Sequence, residues 1–180
     1  MEPPKIVTSG QRILLGFSFF GDPFTRSGGW SEENEIGRLW KRFMVYWEKN
    51  QQAFRRVRAE AGMVEAHIYH AETPLTGEFE VFVGVEVAAL EAVPVELTVK
   101  ILPPATYAVF TLAGDEITSD WSKMIYTDWA PGSGYEVIRT HSLQQYDERF
   151  KGVDQIAAST LDVYIPVQKI DPRQAGATPE

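Results

Sequence analysis

The chain has 180 residues, of which 44% are hydrophobic, enough for one packed domain or two fused half-domains. It has no cysteine, which excludes disulfides and thiolate metal sites, and its net charge of −8 disfavours direct binding to nucleic acid. No apolar run approaches the roughly 18 residues of a membrane helix, and no signal peptide is visible. We therefore expect a cytoplasmic protein without a membrane partner.

In chain order, the first predicted element is an apolar strand over residues 13–21, and a helix follows it. Ser31 is the predicted N-cap of this helix, because its hydroxyl can accept a hydrogen bond from the first turn. Two further strands are predicted over residues 64–72 and 78–87. The helix carries one apolar stripe at helical spacing, formed by Ile36, Trp40, Phe43, Met44 and Trp47.

The same order returns in the second half of the chain. A strand is predicted over 106–114, then a helix that Pro131 and Gly132 end, then strands over 134–142 and 160–169. The second helical stripe consists of Ile117, Trp121, Met124, Ile125 and Trp129. The sequence therefore predicts a duplicated β-α-β-β unit, with repeat one at about 12–88 and repeat two at about 95–170. Residues 1–11 are expected to form an N-terminal extension, and residues 171–180 a disordered tail.

The predicted fold is α+β: one curved antiparallel sheet with the helices on one face and a ligand cleft between the halves. The last strand of each repeat has one aliphatic face, which we expect to pack on the helices. The other face carries Glu80 and Phe82 in repeat one, and Asp162 and Tyr164 in the matching places of repeat two. If the two last strands meet near a pseudo-twofold axis, these four side chains line a shared cleft.

Two interpretations of this acid–aromatic face remain open. Such alternation is ordinary on a sheet face that contacts water, and most charged residues are exposed. Its repetition in both halves favours a ligand cleft, where aromatic faces and a carboxylate attract an organic cation. The spacing of the tryptophans favours a core position over a ligand contact, although a large ring can bridge a core and a cavity floor. Tyr126 lies just off its stripe and could reach the rim of a cleft. His67, His70 and His141 lack metal-ligand spacing, so we expect no metal or other cofactor, and haem binding is the weaker alternative.

Seven stretches together resemble the GyrI-like small-molecule-binding domain family over about residues 12–169. They are GDPF, EIGRLWKRF, VFVGVEV, ATYAVFTLAG, WAPGSGYE, YDERF and LDVYIPVQK. The resemblance implies a duplicated β-α-β-β unit and an aromatic pocket between the halves, with an acid that receives cationic drugs. Asp162 matches the family's acid in the final strand, and Tyr107 matches its tyrosine in the first strand of repeat two. The sequence departs from the family at Gln144, where a glutamate is common.

The family also provides the effector-binding domains behind the DNA-binding domains of multidrug-sensing regulators, and here we expect a stand-alone domain. The favoured function is binding of amphipathic, often cationic, aromatic compounds. The alternative is a hydrolase of reactive cyclopropane-bearing natural products, in which Asp162 and Tyr164 would act on a substrate stacked on Trp40 or Trp121. No catalytic residue is assigned, and homo-oligomer formation is left open. The candidate ligand-binding residues are Trp40, Trp47, Tyr69, Glu80, Phe82, Tyr107, Trp121, Tyr126, Asp162 and Tyr164.

Overall fold

The computed structural model describes residues 2–55, 57–91 and 93–171. The described residues contain nine strands: β1 (Lys5–Ser9), β2 (Arg12–Gly21), β3 (Arg58–Ile68), β4 (Phe79–Val87), β5 (Thr98–Leu102), β6 (Ala105–Ala113), β7 (Tyr135–Val137), β8 (His141–Tyr146) and β9 (Thr160–Lys169). The α-helices are α1 (Glu35–Arg55), α2 (Thr73–Thr76) and α3 (Trp121–Lys123). A π-helical segment (Met124–Trp129) continues α3, and 3₁₀ turns occupy Gly114–Glu116, Ala130–Gly132 and Val153–Ala158.

The strands form one antiparallel sheet in the order β1-β6-β9-β8-β3-β4-β2-β5, and β7 pairs with β9. This order is symmetric about the β3–β8 pair, so the predicted α+β fold with a duplicated unit is confirmed. The central strands, β3 and β8, are however the second strands of the two repeats and not the last ones. Each last strand already has two neighbours, because β4 lies between β2 and β3 and β9 lies between β6 and β8.

The two edge strands come from segments in which we predicted no strand. Residues 5–9, part of the predicted extension, form β1 and pair with β6. Residues 98–102, which precede the first predicted strand of repeat two, form β5 and pair with β2. Each half of the sheet is thus completed by a strand that precedes the other half in the chain.

The aliphatic face of each last strand packs on helical segments, as predicted. Val81, Val83 and Val85 of β4 share a core with Leu39 and Phe43 of α1. In repeat two, a matching core joins β9 to Ile125. Burial of these apolar side chains is the main driving force that holds the helical segments to the sheet.

The opposite face of the sheet is also buried, because the sheet curls. The guanidinium of Arg12 on β2 lies 5.1 Å from the ring centroid of Tyr164 on β9, although three strands separate β2 from β9 in the sheet. Phe82 fills this interior and is 0% exposed. Gly16 and Gly84 face each other beside its ring, and a Cβ on Gly84 would lie 2.3 Å from a backbone oxygen.

Some predicted boundaries differ from the structure. Helix α1 begins at Glu35, and its N-cap is Asn34, whose Oδ1 accepts a hydrogen bond from the Gly37 amide at 2.8 Å. The predicted N-cap, Ser31, instead accepts a bond from the Glu33 amide within the preceding loop. The strand predicted over 134–142 is split into β7 and β8 by a turn. No helix in the described part of the chain is long and apolar enough to span a bilayer. Apart from Asp171, the predicted disordered tail lies outside the described residues.

Candidate functional site

A cavity of about 1350 Å³ opens on the helix-bearing side of the sheet. Residues of both repeats line it, so it lies between the halves, as expected for the predicted cleft. Its floor is formed by the central strands β3 and β8, and α1 contributes one wall through Trp40 and Met44. The loop that precedes α1 and the loop that follows β8 complete the enclosure through Trp30 and Phe150.

Glu65 is the acid at the centre of this floor. It lies opposite Gln144 in the β3–β8 pairing, and these two residues stand between Val83 of β4 and Val163 of β9. Because directly paired residues share a face, all four side chains point towards the helices. Glu65 is only 4% exposed, and a buried carboxyl group must be satisfied by hydrogen bonds.

Three side-chain nitrogens donate to the Glu65 carboxylate. The indole Nε1 of Trp40 lies 2.5 Å from Oε2, and the amide Nε2 of Gln144 lies 2.8 Å from Oε1. The imidazole Nε2 of His67 also lies 2.8 Å from Oε1, which requires the proton on that nitrogen because a carboxylate only accepts. Among the described side chains, no lysine or arginine forms an ion pair with Glu65. His67 lies at ion-pair distance from it and carries a charge only when it is protonated.

The Tyr146 hydroxyl belongs to the same cluster. Burial raises the pKa of Tyr146 well above its ordinary value, and the neighbouring charge of Glu65 raises it further. The hydroxyl donates its one proton to the amide oxygen of Gln144 at 3.3 Å. Tyr146 therefore stays a neutral phenol that fixes the orientation of the Gln144 amide.

Aromatic rings surround the acid. The Trp40 and Tyr146 rings meet edge to face with centroids 4.9 Å apart, and Tyr146 meets Phe150 in the same way at 4.9 Å. Trp30 reaches Phe150 across the opening, with centroids 6.3 Å apart. Trp30 ends an extra segment, residues 22–30, which makes the connection from the first strand to the helix about a dozen residues longer in repeat one than in repeat two. Of the Trp30 surface, 41% is exposed. The cavity thus combines one buried carboxylate with wide aromatic walls.

Of the predicted site residues, the structure brings three into the cavity: Trp40, Tyr69 and Trp121. Trp47 packs in the α1 core against Phe54, with ring centroids 4.7 Å apart. Tyr126 lies under the guanidinium of Arg139 at 4.8 Å, and burial raises its pKa to about 12.

The remaining five do not line this cavity and lie on the opposite face of the sheet: Glu80, Phe82, Tyr107, Asp162 and Tyr164. The two acids have partners there. Glu80 pairs with Lys100 at 2.8 Å, and Asp162 pairs with Arg149 at 2.5 Å. The physical reason is the curl of the sheet, which makes the alternating acid–aromatic face an interior.

Tyr107 and His141 form a separate buried pair on this interior face. The Tyr107 hydroxyl lies 3.0 Å from Nε2 of His141, and both side chains are nearly inaccessible. Burial, and then the charge of Arg12, lower the pKa of His141 to about 4. The ring is therefore neutral near pH 7. Among the described residues, no group of three or more His, Asp or Glu side chains is arranged to hold a metal ion.

Glu65 was missed by the sequence analysis, although a signal for it exists. It stands two residues before His67 as Gln144 stands two residues before Tyr146, so it is the repeat-one counterpart of the position where the family commonly has glutamate. A single acid inside the apolar strand sequence MVEAHI is also unusual for a buried central strand.

Comparison with known proteins places these features in a family. SAV2435, solved bound to tetraphenylphosphonium, is 14% identical with a TM-score of 0.60, and the match covers 93% of this chain and 94% of that one. The integron cassette protein VCH_CASS2 of Vibrio cholerae is 16% identical, also with a TM-score of 0.60, over 93% and 97%. The EcmrR C-terminal domain is 11% identical at a TM-score of 0.60, over 92% and 97%.

At these identities the solved structures show a shared fold. No protein of curated function matches the sequence significantly. The sequence itself matches one family, Cass2, described as integron-associated effector-binding protein, over residues 5–167. That match spans the sheet almost completely and includes every residue that lines the cavity. The chain therefore belongs to this GyrI-like family of effector-binding proteins.

Proposed function

We propose that this protein binds an amphipathic aromatic cation in the cavity, with Glu65 as the negative anchor. The observation that carries the proposal is a carboxylate that is 4% exposed, lies on a cavity floor and has no lysine or arginine partner among the described side chains. A buried charge without a permanent counter-charge is costly, and the ion pair with His67 exists only while that ring is protonated. A bound organic cation supplies a permanent counter-charge.

The walls determine the rest of the ligand class. Trp30, Trp40, Tyr146 and Phe150 offer ring surfaces around the acid. Aromatic faces attract cations, and the attraction grows when water is excluded. A cation with a flat or propeller-shaped aromatic body satisfies both the carboxylate and the walls. The tetraphenylphosphonium bound to SAV2435, a protein of similar fold, makes that cation a reasonable first probe.

The hydrogen bonds of Glu65 favour binding over hydrolysis. A general base needs a free oxygen lone pair towards the water that it activates. Here Oε1 accepts from both His67 and Gln144, and Oε2 accepts from Trp40. A carboxylate held by three protein donors acts mainly through its charge, which favours binding over the cyclopropane-hydrolase alternative.

The test is a titration with tetraphenylphosphonium, followed through quenching of the intrinsic tryptophan fluorescence. We expect saturable binding to the wild type, and a loss of about 10- to 100-fold in affinity for Glu65→Gln, because a contact to a charged group contributes about 1.5–3 kcal/mol. Triphenylphosphine oxide, which is neutral and of similar shape, should bind wild type and variant alike.

The matched control is Asp162→Asn, which removes a partly buried carboxylate on the opposite face of the sheet. Its affinity for the phosphonium should equal that of the wild type, and urea unfolding would show that each variant is folded. Unchanged affinity in Glu65→Gln would refute the proposed anchor. A large loss of affinity in Asp162→Asn alone would instead identify Asp162 as the anchor, as the family resemblance indicates.

A further inference from the structure

The protein itself uses the hydrogen-bonding capacity of Glu65. Oε1 accepts from His67 and Gln144 at 2.8 Å each, and Oε2 accepts from Trp40 at 2.5 Å. A carboxylate offers about four acceptor positions, so these three protein donors fill most of them and leave none on Oε1.

These donors are held in place by contacts of their own. The Gln144 amide oxygen accepts from the Tyr146 hydroxyl at 3.3 Å, so its amino group must face Glu65. The Trp40 ring is packed edge to face on the Tyr146 ring. A ligand with several donors must therefore displace one of these protein donors or leave some of its own donors unpaired in a buried place, and either is costly.

Because the protein already occupies most of the acceptor positions of Glu65, we infer a specificity that deepens the proposed function and rests on it: the cavity selects permanently charged cations without N–H or O–H donors over protonated amines of the same shape. A quaternary ammonium or phosphonium group interacts with Glu65 through its charge and with the rings through their faces. Such a group has no donor and therefore needs no lone pair of the Glu65 carboxylate. A primary ammonium brings three donors, and the buried carboxylate has at most one acceptor position left for them.

Carboxylates at the cavity opening do not remove this difference. Asp147 is engaged by Arg149 at 2.6 Å, and Asp120 accepts from Ser122 at 2.9 Å. Glu32 and Glu148 are exposed, and ion pairs formed in water are weak. They attract every cation towards the opening and distinguish poorly between an amine and a quaternary group.

The test compares two monovalent probes that share one aromatic body, 4-phenylbenzyltrimethylammonium and 4-phenylbenzylammonium, at pH 7.5 by calorimetry. We expect the wild type to bind the trimethylammonium probe about tenfold more tightly or better, since the amine leaves donors unpaired. The methyl groups also add apolar surface, so a variant must separate the two causes. Gln144→Met keeps the side-chain length and removes one donor to Oε1.

In Gln144→Met the amine gains a free acceptor, and the preference should shrink by about threefold or more. Trp40→Phe, which removes the donor to Oε2, is the second variant, and unfolding curves would show which of them folds. Equal affinity of the two probes for the wild type would overturn the inference. So would a preference that stays constant in the folded variant, because it would then come from apolar surface. In either case a continuing dependence on Glu65 leaves the proposed function standing, and binding of neither probe would refute both.

Discussion

Acidification from pH 7.5 to 5.0 should destabilise the fold by about 2 kcal/mol through one side chain, His141. This ring is 5% exposed, and burial and the charge of Arg12 lower its pKa to about 4 from an ordinary value of 6.5. Because the folded pKa lies below the unfolded one, the unfolded chain takes up the proton first. The contribution is therefore complete above about pH 6.5 and is lost as the pH falls towards 4.

Urea unfolding at the two pH values, for the wild type and for His141→Gln, measures this contribution. Glutamine does not titrate, and its amide can still pair with the Tyr107 hydroxyl that lies 3.0 Å from the imidazole. The wild type should lose about 2 kcal/mol more than the variant, since the other titrating groups cancel in the comparison. Equal losses in the two proteins would show that the folded state accepts the proton on His141 without penalty, which would refute the reasoning.

Two further substitutions test the packing and the helix start. Gly84→Ala should lower the free energy of unfolding by about 3 kcal/mol, because its Cβ would lie 2.3 Å from the Leu15 oxygen. The control is Gly132→Ala, whose Cβ would have no atom within 4 Å and which should change that free energy by less than about 0.5 kcal/mol. Similar values for both variants would contradict the close contact of β2 and β4. Asn34→Ala should cost about 1 kcal/mol through loss of the N-cap, and Ser31→Ala less than about 0.5. The reverse ranking, measured by the same urea unfolding, would make Ser31 the N-cap.

The duplication was predictable because it leaves a local signal. Trp40 and Trp121 lie 81 positions apart in matching stripes, and Glu80 and Asp162 lie 82 apart in matching strands. Helical spacing and strand alternation are set by backbone geometry alone, so they identify the elements and their shared faces. Element order then restricted the fold to few arrangements.

The location of the cavity was not predictable from the same signal. Alternation shows that Phe82 and Glu80 share a face, but it does not show whether that face meets a ligand, water or another part of the sheet. This depends on the curl that brings Arg12 to Tyr164 across three intervening strands. Curvature is a property of the whole sheet, and no short stretch of sequence encodes it.

The position of Glu65 depends likewise on a non-local choice. Any two of the predicted strands could have met at the centre, and only the β3–β8 pairing puts Glu65 beside Gln144. The prediction of Ser31 as the N-cap of α1 was wrong for a different reason. Ser31 and Asn34 are both good N-caps, and Asn34 has the advantage of a second bond, from its amide to the Gly29 oxygen at 2.7 Å.

The duplicated scaffold is symmetric, and the candidate site derives its chemistry from departures from that symmetry. Two glutamates at the paired positions of β3 and β8 would place like charges within hydrogen-bond distance, and one of them would have to keep a proton. With Gln144 in one position, the pair becomes a hydrogen bond of 2.8 Å and the cavity floor keeps a single carboxylate. The extra segment of repeat one adds Trp30 over the opening on one side only. Duplication thus supplies the two equivalent strands β3 and β8 under the cavity. The differences between the repeats leave one carboxylate, Glu65, and one additional aromatic side chain, Trp30, in the lining, and this arrangement suits a monovalent ligand.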